Sequence, residues 1–270
     1  MRIVDSHCHA ALGWYEPIEV LLAQMDRNGV ELAALIQING QSDNSYQAEC
    51  VRRYPDRLRS VVIVDTDRQD APAELERLVA EGATGVRLRP SVRSPGDDPL
   101  TIWRKAAELG ITVSSGGGRD EFEDDAVAEI FEACPTLPIV IEHLGGLKWT
   151  DLSQGAHGAP PAARPKMFEL ARYPNAYVKI HGLGEFSQRA MPVREPFPFV
   201  EPIAPLLSMA YEAFGASRIM WGSDYPPVSM REGYGNALRF TMERLADKSD
   251  AERESIFGGV AAKLFGFDAG

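Results

Sequence analysis

Ile3-Val4-Asp5-Ser6-His7-Cys8-His9 starts as a β-rich run and ends in two imidazoles, and Arg218-Ile219-Met220-Trp221-Gly222-Ser223-Asp224-Tyr225-Pro226-Pro227 starts the same way and ends in a carboxylate. Runs of this kind recur along the chain: Ile3 to His7, Leu32 to Ile38, Leu58 to Val64, Gly85 to Arg89, Ile111 to Ser115, Ile139 to His143, Tyr177 to His181 and Ile219 to Asp224. Stretches with helical periodicity lie between them, including Pro17 to Asn28, Tyr46 to Tyr54, Ala73 to Glu81, Leu100 to Leu109 and Ala126 to Ala133. Regular strand and helix alternation predicts parallel strands joined by right-handed crossovers, and eight units in about 250 residues is the size of a (β/α)8 barrel. An open doubly wound sheet alternates too, but no GxGxxG follows the first run. The polar run ends are also scattered along the whole chain, and only a closed barrel gathers them at one mouth. The expectation is therefore an α/β, TIM-like barrel in which residues 1–270 form a single domain.

The chain has 270 residues, 44% apolar and 25% charged, a globular composition, with 28 Lys plus Arg against 39 Asp plus Glu and a formal charge of −11. That charge, with no basic stripe, disfavours nucleic acid and anionic membrane surfaces, which leaves a small-molecule substrate as the expected partner. Cys8, Cys50 and Cys134 are odd in number and in no CxxC spacing, which fits a reducing compartment. No basic leader with an apolar core opens the sequence, and no apolar run reaches the ~18 residues of a membrane span. Cytoplasm is the expected location. Ser249-Asp250-Ala251-Glu252 reads as a capping box for a helix from Ala251 to Leu264 that closes the barrel. Gly145 to Pro165 and Phe186 to Pro205 read as long Pro- and Gly-rich loops, the usual form of a lid.

Side chains alternate along a strand, so His7 and His9 share a face at a strand end and can hold one metal ion between them. Two more of the five histidines, His143 and His181, close runs of their own, while His157 lies in the first Pro/Gly loop and reads as a solvated residue. With Asp224 these form a constellation at one mouth, and a divalent cation is the partner that such imidazoles and a buried carboxylate suggest. Arg87 and Arg89 share a face of their run, with Val86 and Leu88 turned to the helices. Inward-pointing guanidinium groups would suit a substrate carboxylate or several oxygens. The alternative is that one of them pairs with Asp65 or Glu142 and only supports the scaffold.

DSHCHA, EHLGG, NAYVKIHGLGEF and RIMWGSDYPP together resemble the metal-dependent amidohydrolase superfamily, in its "amidohydrolase 2" branch, from Ile3 to about Phe265. The resemblance implies a (β/α)8 barrel with metal ligands at His7, His9, His143 and Asp224. Binuclear relatives carry a lysine near the end of strand 4, where this chain reads Gly85-Val86-Arg87-Leu88-Arg89-Pro90, so one divalent ion is expected, Zn2+ first and Mn2+ second. Gly259-Val260-Ala261 stands where relatives often have Gly-Asn-Ala, a departure that touches a structural hydrogen bond rather than the chemistry. The branch includes lactonases, non-oxidative decarboxylases and isomerases, often as homodimers. The first expectation is a metal-dependent hydrolase opening a lactone or cyclic ester, with Asp224 shuttling a proton and His181 donating to the oxyanion or leaving alkoxide. The alternative is a non-oxidative decarboxylase of an aromatic or muconate-type acid, with Asp224 or His181 protonating the carbon. A non-catalytic binding module is disfavoured, since every ligand position is filled.

Overall fold

Eight short parallel strands form at the eight apolar runs: β1 Val4–Cys8, β2 Leu32–Ile36, β3 Leu58–Val62, β4 Gly85–Leu88, β5 Thr112–Ser115, β6 Ile139–Ile141, β7 Ala176–Ile180 and β8 Ile219–Trp221. This computed structural model describes residues 1–147, 165–192, 194 and 197–268. The strands pair in sequence order. The ring closes where Cys8 bridges Tyr225 in parallel and the amides of Asp224 and His9 donate to the carbonyls of His7 (2.7 Å) and Tyr225 (2.8 Å). That closure is what an open doubly wound sheet lacks, so the polar strand ends meet at one mouth.

Helices cover the outside with one apolar stripe each. Ile18–Asn28 turns Ile18, Leu21, Leu22 and Met25 inward, and Thr101–Glu108 turns Ile102, Trp103 and Ala106. Ser45–Arg53, Ala71–Ala80 and Ala126–Ala133 follow their strands as expected, and Leu206–Phe214 and Tyr234–Arg244 complete the described ring. After β6 the described chain has the turn His143–Gly146 and a 3-10 segment, Lys166–Arg172.

The C-terminal helical segment begins at the expected cap. Ser249 Oγ accepts from the Glu252 amide, and the Ser249 amide donates to Glu252 Oε2 at 2.9 Å. It runs from Asp250 to Leu264 through a wider π turn at Ser255–Gly259. Val260, Ala261, Ala262 and Phe265 then pack on Val4, Ala34, Ile36, Val61, Val140 and Met220, which plugs the barrel interior away from the mouth.

The described residues of Phe186 to Pro205 carry more pairing than a loop reading implies. Arg189 bridges Phe199 in an antiparallel pairing, and Phe197 and Phe199 lean on Phe240 at ring distances of 6.3 and 5.4 Å. Most of Gly145 to Pro165, including His157, lies outside the described residues. Among the described residues no helix is long and apolar enough to cross a membrane.

Candidate metal centre

Each side chain of the centre leaves the mouth end of a strand. His7 lies in β1 and His9 just past it, and an irregular register between Asp5 and Cys8 turns both imidazoles inward. His143 and His181 follow β6 and β7, and Asp224 follows β8. His143 and Asp224 have φ of 51° and 56°, left-handed conformations that cost a residue with a side chain about 1–3 kcal/mol when a site demands them. The preceding Gly222 allows a close approach, because a Cβ there would stand 2.7 Å from the backbone nitrogen of His7.

Second partners aim the rings. His9 Nδ1 is 2.7 Å from the Ile36 carbonyl, His181 Nδ1 is 2.9 Å from the Gly222 carbonyl, and His143 Nδ1 is 2.6 Å from Glu185 Oε1. A carbonyl only accepts, so Nδ1 carries the proton in His9 and His181, and Nε2 carries the lone pair in both. The Nε2 atoms of His7, His9 and His143 lie 3.8, 3.7 and 4.0 Å from Asp224 Oδ1. One ion with bonds of about 2 Å keeps its ligand atoms roughly 3–4 Å apart, so this spread fits a shared cation. The buried His7 Nε2 has no hydrogen-bond partner, the mark of an atom reserved for a ligand. Overlapping sets of donor atoms within 4.8 Å of one another also include His7, His143 and His181, and His143, Glu185 and Asp224.

The electrostatics favour neutral imidazoles facing an anionic carboxylate. Burial, then Lys179, holds His7 well below the ordinary value, and burial, then His143, pulls His181 down to about 3. Burial opposes the charge of Asp224, yet His143 and the His9 contact keep its pKa below the carboxylate range. His143 runs the other way: burial lowers it, and Glu185 and Asp224 more than restore it.

The expected oxyanion-donor role of His181 does not fit this arrangement. Its only ring proton is committed to Gly222, and the His143 amide points at its Nε2 from 3.4 Å, so neutral His181 presents an acceptor. It offers a further ligand nitrogen.

The two arginines part company. Arg87 is buried and inward, but Nε and Nη2 hold Glu142 Oε2 at 3.1 and 2.7 Å and Nη1 donates to the Gln37 carbonyl at 2.8 Å. This is the scaffold pairing with Glu142 that the sequence left open. Burial would raise the Glu142 carboxyl, but Arg87 and Lys179 hold it at about 2. Arg89 does not point inward. β4 ends at Leu88, so strand alternation stops before it, and the exposed side chain pairs with Glu121, which also accepts from Ser91.

Lys179, which the sequence reading passed over, completes a charged layer under the histidines. Fully buried, it donates to Ser114 Oγ (2.6 Å), which donates to Glu142 Oε1 (2.6 Å), and its Nζ lies 3.3 Å from His7 Nδ1. Burial pushes its pKa down to about 8. Two-residue alternation from His181 was the signal that could have found it. Glu185 and Arg231 stand on irregular turns and had no such signal.

Above the ring opens a cavity of about 490 Å3, lined by Trp14, Tyr15, Asn39, Gln41 and Arg87 with His9, His143 and Asp224.

Known proteins share this architecture. The chain is 27% identical over 267 residues to the L-fucono-1,5-lactonase of Burkholderia ambifaria, covering 94% of this chain and 85% of that protein. An amidohydrolase from Burkholderia multivorans with bound zinc superposes with a TM-score of 0.75 at 20% identity, over 98% of this chain and 99% of that one. A probable 2-pyrone-4,6-dicarboxylic acid hydrolase from Acinetobacter baumannii, with citric acid bound, gives 0.73 at 18% identity, over 98% and 100%. The amidohydrolase family model matches residues 4–267, nearly all of the described barrel, and so the chain belongs to the amidohydrolase family of hydrolases.

Proposed function

We propose that the protein opens a neutral, polyhydroxylated lactone, such as a sugar 1,5-lactone, to its hydroxy acid. The observation that carries this reading is the state of Arg87. Of the described residues lining the cavity it is the one guanidinium, and Glu142 already neutralises it, so this described lining offers no unpaired guanidinium to a substrate carboxylate. Asn39 and Gln41 on the same wall are neutral hydrogen-bonding groups suited to hydroxyls. The lactonase among the relatives supports the same ring chemistry.

His7, His9, His143 and Asp224 would hold one divalent ion, with Zn2+ the first choice for this donor set and Mn2+ the second. Such an ion polarises a carbonyl and acidifies water. Asp224 accepts the proton that water loses as its oxygen bonds to the lactone carbon, and returns it to the ring oxygen as the acyl–oxygen bond breaks, leaving a hydroxyl and a carboxylic acid. His181 Nε2, on which the His143 amide makes only a long 3.4 Å contact, would turn its lone pair to that water as a hydrogen-bond acceptor rather than to the ion. The enzyme works in the cell interior on a small molecule, as a monomer or a homodimer.

Protein reconstituted with Zn2+ or Mn2+ is to be assayed on neutral sugar lactones, a dicarboxylated pyrone and aromatic acids, following acid release and CO2 separately. Acid release from neutral lactones, lost on chelation and restored by either metal, is the expected result. CO2 from an aromatic acid would replace this reading with the decarboxylase. Elemental analysis showing two ions per chain would overturn the single-ion assignment.

A further inference from the structure

We infer that Glu185 and Arg231 form a clamp that positions two metal ligands at once, His143 and Asp224, which leave different strands; the inference rests on the metal reading of the site. Arg231 Nη1 stands between the two acidic groups, 3.4 Å from Glu185 Oε1 and 3.0 Å from Asp224 Oδ2. Glu185 Oε1 in turn lies 2.6 Å from His143 Nδ1. The chain His143–Glu185–Arg231–Asp224 thus runs behind the metal face, from the turn after β6, through the turn after β7, to the turns after β8.

Its geometry does two things that the ligands cannot do alone. Glu185 accepts the Nδ1 proton of His143, which fixes the ring in the tautomer that presents Nε2. Arg231 occupies Oδ2 of Asp224, which leaves Oδ1 as the atom facing the three Nε2 groups. His143 and Asp224 are also the two ligands with positive φ, so the clamp ties down the two whose backbone has most reason to relax. At its other nitrogens, the buried Nε and Nη2, Arg231 makes no hydrogen bond among the described residues, only a longer ion pair with Glu232, whose Oε2 stays 3.7 Å from Nε. Glu232 is itself held where Gly182 and Gly184 leave room, accepting from the Gly184 amide at 3.0 Å.

Glu185 and Arg231 are positioning residues, and metal affinity reports on them apart from catalysis. The experiment titrates metal-free wild type, Glu185→Leu, Glu185→Gln, Arg231→Met and the Leu/Met double variant with Zn2+ against a chromophoric chelator, and records the melting temperature of each apo-protein. Loss of an outer partner of a metal-ligating histidine weakens metal binding by about 10- to 100-fold, and that is the loss expected for Glu185→Leu and Arg231→Met. Acting as one unit, the two changes together should cost little more than either alone. Glu185→Gln keeps an oxygen acceptor for His143 and should recover part of the affinity. Wild-type affinity in folded Glu185→Leu, or effects that multiply in the double variant, would overturn the clamp. If Glu185→Leu does not fold, the decision passes to Glu185→Gln and Arg231→Met, and wild-type affinity in both overturns it. A wild type that takes up no Zn2+ would instead refute the metal reading itself.

Discussion

The two ends of the barrel interior are built from the same strands and share almost no chemistry. Away from the mouth, Val4, Val61, Val140 and Met220 meet Phe265 in an apolar plug. One pleat further along, Val140 gives way to Glu142, Tyr177 to Lys179 and then His181, and Gly85 to Arg87. The lower half gains its stability from dispersion and exclusion of water, and the upper half holds charges that survive burial only because each has a partner. Gly116 belongs to that upper logic, since a Cβ there would meet Glu142 Oε2 at 2.4 Å. The contrast teaches that fold stability and function are separated along the barrel axis, so substitutions at the two ends should fail in different ways.

The largest effect is expected at the top. Asp224→Asn keeps the volume but cannot take a proton at neutral pH, and kcat/KM on the best lactone should fall by about 10²–10⁴-fold while the circular dichroism spectrum is retained. Metal content is measured alongside, and near wild-type kcat would remove Asp224 from proton transfer. Next comes the charged layer. Arg87→Met takes from Glu142 its directly bonded cation, leaving Lys179 through Ser114, and should cost about 3–5 kcal/mol in denaturant unfolding, whereas Arg87→Met with Glu142→Gln, which removes the buried negative charge, should regain part of that loss. A single variant as stable as wild type would make the layer a solvated pair and erase the contrast. At the bottom, Met220→Ala opens a cavity and should cost about 2–5 kcal/mol with Zn2+ affinity unchanged. A lowered affinity there would show that the two ends are mechanically coupled. The smallest effect belongs to Arg89→Met, an exposed pair worth at most about 1 kcal/mol, with the ratio of neutral to acidic lactone turnover unaltered. A selective loss on acidic lactones would return Arg89 to the substrate and count against the neutral-lactone reading.

The same contrast explains what could be read from the sequence. Apolar runs bounded by helical periodicity register burial, and all eight strands fall where those runs lie, with ends shifted by a few residues. His7, His9, His143, His181 and Asp224 were legible because strand ends in a barrel converge whatever lies between them. Arg87 was placed on the right face, but its partner Glu142 is 55 residues away and nothing local chooses between Glu142 and a substrate. Arg89 was misplaced because alternation was carried one residue past the end of β4. Glu185 and Arg231 were invisible since their positions depend on turns, where no period relates sequence to direction.

The left-handed backbone at His143 and Asp224 sets a condition on anyone who would move this centre elsewhere. Grafting the histidines and the aspartate onto the strand ends of another barrel would reproduce the residue types and lose the directions, because a right-handed or extended φ at either position aims the side chain away from the common point. A designer would have to transplant the two turns whole, with Gly222 and its close packing on β1. Scoring schemes that match residues to local backbone would then resist the transplant, preferring glycine or asparagine at the very positions where a binder of metal cannot use them.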